Sequence, residues 1–283
     1  MKYVFGIYGF DFSKPMEISG VKFLPTLPFP ESREQAARSD TFRLTGIGEL
    51  PEGTENQELR CWLDSVRTIT DGMTFCQRQS VIATRFFEIE NEADSSPIPD
   101  ELPLDRPRRK GVAGGLILND AFSADSRASF IQQFLTRVQE LREQDVDQGH
   151  PFLRAIYRLI ELARLGSPFW EIKFFLAFTA LEILAREYGS FPPRHRPVSD
   201  PIHEVLINNG FQITIEEVTE FTRARNSAFH RGEHLSETNG ETINAIHLLH
   251  PLEILTADLC LKLLGFDDER INWNRWKDRM PFR

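Results

Sequence analysis

Hydrophobic positions change their period along the chain, and the change divides the chain into two parts. In the first part, short segments alternate apolar with polar residues or are rich in aromatic and β-branched residues, which is typical of β-strands. The segments that predict strands are residues 3–10, 21–24, 41–47 and 80–89. Residues 57–70 instead place apolar side chains every three or four positions and predict an amphipathic helix within this part.

A proline-rich segment follows the predicted strands. Residues 91–110 contain four prolines and show no hydrophobic period, so we expect a loop or linker there. The glycine-rich residues 111–118 are compatible with a last strand or with a connection, and the pattern leaves both alternatives open.

From about residue 124 onward, the apolar positions recur at helical spacing. The predicted helices begin at about residue 124 and at Pro151, and further helices are expected at about 169–188, 202–208, 214–229 and 242–264. Thr214 and Glu217 have the spacing of a capping box, which fixes the start of one of these helices. Pro251 is expected to kink or split the last one.

The sequence therefore predicts an α+β protein with a β-rich N-terminal domain followed by an all-α bundle. We place the first domain at residues 1–118 and the second, with a C-terminal tail, at residues 119–283. The first domain carries no recognisable catalytic group, so sensing or docking is its expected role. The tail at residues 271–283 holds two tryptophans among basic residues. Docking on its own bundle and docking on a partner are both consistent with that pattern.

Composition narrows the classes of partner and the compartment. Hydrophobic residues make up 41% of the 283 residues, enough for a sizeable core, and the formal net charge is −9. This acidity argues against a broad basic face, so any contact with nucleic acid must be local. No run approaches the roughly 18 apolar residues of a membrane span, and no leader pattern is visible. We expect a cytoplasmic protein that does not contact a membrane.

The three cysteines, Cys61, Cys76 and Cys260, have neither the spacing of a zinc site nor an even number for a disulfide framework. We expect all three to be buried thiols in a reducing compartment.

The strongest chemical signal is the motif segment, residues 222–232, at the end of a predicted helix. It contains Arg223, Arg225, Asn226 and His230 within a few positions. Arginine can hold a phosphate with several N–H donors, and histidine can transfer a proton near neutral pH. At about 100° per residue, Arg225 shares the apolar stripe of its helix, which predicts a buried charge. The alternative is a helix end with solvated arginines and a histidine near the C-terminal dipole.

Glu182 is a second unusual charge, because it lies inside the apolar helix predicted at 169–188. A carboxylate in such surroundings needs a partner. A structural salt bridge within the bundle is one way to supply it.

The arrangement Arg225-Asn226-x-x-x-His230 resembles the Arg-x4–6-His motif of the HEPN-domain ribonucleases. The apolar helix with Leu181-Glu182 before the motif, and the long helix after it, are also similar to that family, in particular to its ApeA-like branch. The resemblance covers about residues 150–265 and is weak before that. Arg223 also lies within the permitted spacing from His230, so either arginine can be the one in the motif. Gly232 departs from the Arg-x4-His-x-Tyr form.

The resemblance implies an HEPN-like bundle and a metal-independent endoribonuclease that needs no cofactor. RNA is the implied substrate, cut by attack of its own 2′-hydroxyl. His230 is the implied general acid/base, Arg225 holds the phosphate, and Asn226 orients one of these groups. Glu182 and Arg223 support the site, where Glu182 either pairs with Arg225 or steers the histidine; a structural salt bridge is the alternative role of Glu182. The family also implies a homodimer through the helical domain and a toxin-like role in antiviral defence or stress.

Two other interpretations remain open from the sequence. The first is a non-catalytic HEPN-type binding or scaffold module whose N-terminal domain recognises a ligand or a partner protein. The second is a metal site at His230 and His234, which are four residues apart, although Gly232 lies between them.

Overall fold

The computed structural model describes residues 2–89, 97–104, 124–144, 149–165, 169–189, 197–231, 235–238, 241–266 and 272–280. The chain forms two compact units. The sheet unit contains residues 1–146 and 163–166, and the helical unit contains residues 147–162 and 167–283. An antiparallel sheet precedes a helical region, so the predicted α+β class is confirmed.

The sheet unit is built on seven antiparallel strands. They are β1 Lys2–Tyr8, β2 Met16–Ile18, β3 Val21–Pro25, β4 Phe42–Glu49, β5 Ile82–Ala83, β6 Phe87–Ile89 and β7 Glu101–Leu102. The order is β2-β3-β4-β1-β5, with β6 also paired to β1 and β7 to β4. All the predicted strand segments therefore contain strands, although the one at 80–89 is divided into two short pieces.

A bulge between β1 and β4 shows how a buried hydroxyl compensates for an irregular ladder. Ile7 pairs with Gly46 but Tyr8 pairs with Leu44, which leaves Thr45 as the extra residue. The Thr45 hydroxyl donates to the Ile7 carbonyl and accepts from the Phe10 N–H, each at 3.3 Å. The bulge is thus closed without an unsatisfied backbone group at these positions.

Aromatic side chains fill the core of the sheet unit. Phe5 meets Phe23 edge to face at 6.1 Å between ring centroids, and both rings are fully buried. The Phe5 ring lies directly against Gly48 of β4, where a Cβ atom would overlap it. Glycine at this position is therefore a packing requirement of the sheet.

The helices of the sheet unit are α1 Phe29–Ala37, α2 Leu59–Gln77 and α3 Ala124–Gln144. The sequence analysis did not anticipate α1, although Pro30 lies in its first turn, a favoured position. α2 follows a 3-10 turn at Asn56–Glu58 and is longer than the predicted 57–70. It ends at Arg78, whose φ of 53° is left-handed.

α3 packs within the sheet unit, whereas the sequence assigned it to the helical domain. Phe134 of α3 stacks on Phe75 of α2 at 5.1 Å, and Leu135 reaches Gly72, where a Cβ atom would collide with it. The predicted boundary at 118/119 and the segment 111–118 lie outside the described residues.

The helical unit contains α4 Pro151–Arg164, whose last residues cluster with the sheet unit, α5 Trp170–Tyr188, α6 Ser199–Asn208, α7 Ile215–Asn226 and α8 Ala245–Leu263. α5 packs against α6, α7 and α8. Its buried residues include Phe174, Phe178, Leu181 and Leu184. α5 is thus central among the helices, as its apolar composition predicts. Among the described helices, none combines the length and apolar composition needed to cross a bilayer.

The start of the last helix differs from the prediction. Residues 242–244, predicted to be helical, belong to a hairpin of β8 Leu235–Thr238 and β9 Glu241–Asn244. Asn244 then caps α8, because its side chain accepts the Ile246 N–H at 3.1 Å. Pro251 lies inside the continuous helix α8 and does not split it.

The C-terminal tail docks on its own helical unit, which was one of the two alternatives. Trp276 is fully buried. The Asn274 side chain accepts the Gln212 N–H at 2.8 Å, and Arg275 forms an ion pair with the buried Asp258 of α8.

The cysteines differ from one another in exposure. Cys76 and Cys260 are buried as predicted, whereas Cys61 is exposed near the start of α2, so the prediction was wrong for this residue. Burial raises the pKa of the Cys260 thiol well above its ordinary value, which keeps that thiol protonated.

Candidate functional site

The motif segment begins in the last turns of α7, and the start of this helix is fixed as the sequence predicts. The Thr214 hydroxyl accepts the Glu217 N–H at 3.2 Å, and the Glu217 carboxylate accepts the Thr214 N–H at 2.8 Å, which completes the capping box. The buried residues of α7 are Val218, Glu220, Phe221 and Ala224.

Arg225 is half-buried, not fully buried as the apolar stripe predicted. Its guanidinium carbon lies 5.7 Å from the ring centroid of Phe178, a buried residue of α5. This distance permits a cation–π interaction. The long side chain covers apolar surface while its charged end reaches the solvent, so the fold avoids the cost of a fully buried charge.

The hydrogen bonding of Arg225 leaves its charge without a neutralising partner in the described part of the chain. Its Nη1 donates to the Asn226 Oδ1 at 2.9 Å, and Asn226 is exposed. The amide orients the guanidinium but adds no negative charge. Arg223, the other candidate arginine, is exposed and is not seen in an ion pair with any described side chain.

Two ring contacts define how α7 and the following turn meet α5. Arg225 lies over Phe178, and Phe229 contacts Phe175 with ring centroids 4.6 Å apart. As the residue number rises along α5, it falls along the motif segment, so the two run antiparallel. Because Phe175 and Phe178 are one turn apart, the two contacts lie next to each other in the interface between α5 and the motif segment.

Glu182 pairs with Arg186 of its own helix, not with Arg225. The Arg186 Nη2 donates to the Glu182 Oε1 at 2.5 Å, four residues away along α5. Of the two alternatives, the structure shows a salt bridge within the bundle. An i,i+4 pair satisfies the carboxylate locally, and therefore the packing of α7 need not supply its counter-ion.

The end of α7 is not a regular α-helix. The α-helical segment ends at Asn226, and residues Ser227–Arg231 form a single π turn. π turns are rare in proteins, and those that do occur are often found at functional sites. In an α-helix, positions five apart lie about 140° apart around the axis, whereas the wider turn reduces this angle. The backbone positions of Arg225 and His230 therefore lie closer to a common face than they would in a regular α-helix.

Not all of the predicted site falls within the described part. The structure brings Arg225 and Asn226 into contact and places the His230 backbone in the π turn, while the His230 side chain lies outside the described part. His234, the other member of the alternative metal pair, also lies outside it. Among the described side chains, no group of three or more histidines, cysteines or carboxylates has the arrangement of a metal site.

Four residues around the predicted ones were not identified from the sequence: Arg186 pairs with Glu182, Phe178 contacts Arg225, and Phe175 and Phe229 contact each other. Arg186 could have been identified as the partner of Glu182 from the i,i+4 spacing of opposite charges. Phe175 and Phe229 carry a weaker signal, since exposed and buried phenylalanines look alike in a sequence. They are 37% and 44% exposed, respectively, although large apolar side chains are usually buried.

Comparison of the chain with protein-family models, curated proteins and solved structures finds no match.

Proposed function

We propose that this protein is a metal-independent endoribonuclease of the HEPN type. The observation that carries the proposal is the state of Arg225. This arginine is half-buried, oriented by Asn226 and by the Phe178 ring, and without an acidic partner among the described residues. It is held in one place and its charge remains available, as a phosphate-binding group requires.

The π turn supports the pairing of Arg225 with His230. A general acid/base and a phosphate-holding group must act on the same reacting centre. In the π turn the backbone positions of Arg225 and His230 lie closer to one face of the helix than in a regular α-helix. This geometry is compatible with both side chains acting on the same phosphodiester. Arg223 lies on the exposed side of α7 and fits a supporting electrostatic role better than a fixed contact.

The proposed reaction needs only groups from the chain and the RNA. His230 removes the proton of a ribose 2′-hydroxyl, and the oxygen attacks the adjacent phosphorus. Arg225 stabilises the charge that develops on the phosphate oxygens. The 5′-oxygen leaves with a proton, so one product ends in a 2′,3′-cyclic phosphate and the other in a 5′-hydroxyl.

Assembly and biological role form part of the same proposal through the resemblance to the family. The site is composite, with two copies of the motif segment meeting across a two-fold axis in a homodimer. The protein then acts as a toxin-like effector in antiviral defence or stress in the cytoplasm.

The experiment is cleavage of RNA by the full chain in EDTA. We expect wild-type protein to cut and His230→Ala to lose about 10²–10⁴-fold in rate, the usual contribution of a general acid/base. His247→Ala is the matched control, because His247 is an exposed histidine on α8. Product ends are identified by mass spectrometry.

Three results would contradict the proposed chemistry. They are cleavage that EDTA abolishes, cleavage that survives His230→Ala unchanged, and products without a cyclic phosphate. The first contradicts metal independence, the second the role of His230, and the third the attack by the 2′-hydroxyl.

A second candidate is a non-catalytic binding or scaffold module, and one feature of the sheet unit favours it. An open cleft of about 580 Å³ lies beside α1 and is lined by residues of both charges, including Glu31, Arg38, Arg43 and Asp100. A partner protein or ligand that binds this cleft, combined with absence of RNA cleavage, would favour this function.

A further inference from the structure

The motif segment presents an aromatic surface next to its arginines. Phe229 is 44% exposed, and the ring behind it, Phe175, is 37% exposed. The two rings are tilted by 40° with centroids 4.6 Å apart, so Phe175 supports one part of Phe229 while another part remains open. Single exposed apolar residues need no explanation, but two rings in contact at the candidate site form a surface.

Charge decides what kind of ligand suits this surface. Arg223 and Arg225 lie on the same stretch of helix, and neither is seen in an ion pair with any described side chain. The whole chain carries a net charge of −9, so these two cations form a local exception. An aromatic ring beside unneutralised arginines suits a ligand that has both a flat apolar face and a negative group.

The spacing suits a nucleotide. Arg225 and Phe229 are four residues apart, so both lie within about one turn of the end of α7. In a nucleic acid strand, a phosphate and the base of its nucleotide are likewise close neighbours. Proteins that bind single strands combine a positive groove with aromatic side chains on which bases stack.

We propose that Phe229, supported by Phe175, stacks on a base of single-stranded RNA adjacent to the phosphate that Arg225 holds. This inference rests on the proposed function and specifies its substrate as an unpaired strand. A base within an A-form duplex is already stacked on its neighbours and is not open to an aromatic side chain. Phe229 is thus a substrate-positioning residue that selects for strand state more than for sequence, because every base has a π face.

The test measures binding separately from cleavage. The full chain carrying His230→Ala is titrated into a short, mixed-sequence, fluorescein-labelled single-stranded RNA and into the duplex of the same sequence, and anisotropy is recorded. Phe229→Ala, Phe229→Leu and Phe229→Tyr are then added in this background. Phe169→Ala is the matched control, since Phe169 is an exposed phenylalanine at the start of α5.

We expect Phe229→Ala and Phe229→Leu to weaken single-strand binding about tenfold or more, the usual loss when a stacking side chain is removed. Phe229→Tyr keeps the ring and should bind like the parent, as should Phe169→Ala. The parent protein should bind the duplex more weakly than the single strand, and the Phe229 substitutions should change duplex binding little. When His230 is retained, Phe229→Ala and Phe229→Leu should also lower kcat/KM for cleavage of a single strand, whereas Phe229→Tyr and Phe169→Ala should leave it unchanged.

The leucine variant separates stacking from apolar bulk. If Phe229→Leu binds as well as the parent, the ring is not used for stacking and the inference is wrong. Absence of single-strand binding by the parent, or no change with Phe229→Ala, also overturns it. A change of molar mass in light scattering on Phe229→Ala would assign the rings to contact with a second copy instead.

The two proposals fail in different ways. Wild-type protein that binds single strands through Phe229 but does not cut them contradicts the ribonuclease, not the stacking surface. Cutting that is indifferent to Phe229 contradicts the stacking surface only.

Discussion

Two arginines of the helical unit lie in opposite environments. Arg275 of the tail donates from Nε to the Asp258 Oδ2 at 3.0 Å and from Nη2 to the other carboxylate oxygen. Its side chain is 13% exposed, and the Asp258 side chain is fully buried. Arg225 of the motif segment is half-buried over Phe178, and its hydrogen bond goes to the neutral amide of Asn226.

The difference separates an arginine that stabilises the fold from one whose charge stays available, as the proposed phosphate contact requires. Burying a charge is costly unless it is paired, and the tail meets this requirement with a bidentate ion pair. At the motif segment the side chain is oriented but its charge is not neutralised by a described residue. Partial exposure reduces the desolvation cost of the Arg225 charge, and the positive potential of this side chain can act on an anion.

The largest expected effect is on stability, at the tail. Arg275→Ala should lower the free energy of unfolding by about 3–5 kcal/mol, because it leaves the Asp258 carboxylate buried without this cation. Urea unfolding followed by circular dichroism measures the change. The double variant Asp258→Leu with Arg275→Met should be less destabilised than Arg275→Ala. A loss below about 1 kcal/mol would show that the ion pair contributes no more than a surface pair.

The next effect is on activity, at the motif segment. Arg225→Ala should lower the rate of RNA cleavage about 10²–10³-fold, the usual cost of removing one transition-state donor. Its free energy of unfolding should change by about 1 kcal/mol or less, since an exposed cation–π contact contributes that much. Single-turnover cleavage and urea unfolding are measured on the same preparations.

Arg223→Ala and Arg154→Ala are the matched controls for this comparison. Arg223 should matter less than Arg225, and Arg154, exposed on α4, should leave cleavage unchanged. If Arg223→Ala is the more damaging variant, then Arg223 is the motif arginine and the assignment to Arg225 is wrong.

The smallest effect concerns an arginine that is paired but exposed. In the sheet unit, hydrogen bonding from Arg38 lowers the pKa of Asp40 to about 2 from its ordinary value of 3.8. A lowered pKa means that the pair contributes stability above the ordinary pKa, and that this contribution is lost as the pH falls toward 2. We expect Arg38→Ala to return the Asp40 pKa toward 3.8, measured by carboxyl NMR titration. An unchanged pKa would show that the pair does not persist in solution.

The predictions from sequence succeeded where a signal is confined to neighbouring positions. The capping box at Thr214 and Glu217 is confirmed because both partners lie within one turn. The 3.6-residue period of α2 and the apolar composition of α5 were likewise sufficient to predict helices and the central position of α5. Even so, α1 was missed, because its short polar sequence has no strong apolar period, and only Pro30 in its first turn signals a start.

Errors arose where local patterns gave no unique answer. Residues 242–244 continue the apolar spacing of the last helix, but pairing with β8 draws them into a hairpin. The stripe at 100° per residue placed Arg225 in the core, whereas its side chain is half-buried. The π turn beginning at Ser227 changes that angle, and a sequence carries no direct signal for such a turn.

The sequence by itself determined the division into a strand-rich part and a helical part, the acidic character, and the set of residues available for chemistry around Arg225. Only the tertiary structure decided that Arg225 is half-buried over Phe178, that Glu182 pairs with Arg186, that Trp276 docks on its own unit and that α3 joins the sheet unit. The physical reason is distance along the chain. Periodicity and capping depend on residues within one or two turns, whereas exposure and charge pairing depend on which distant elements pack together.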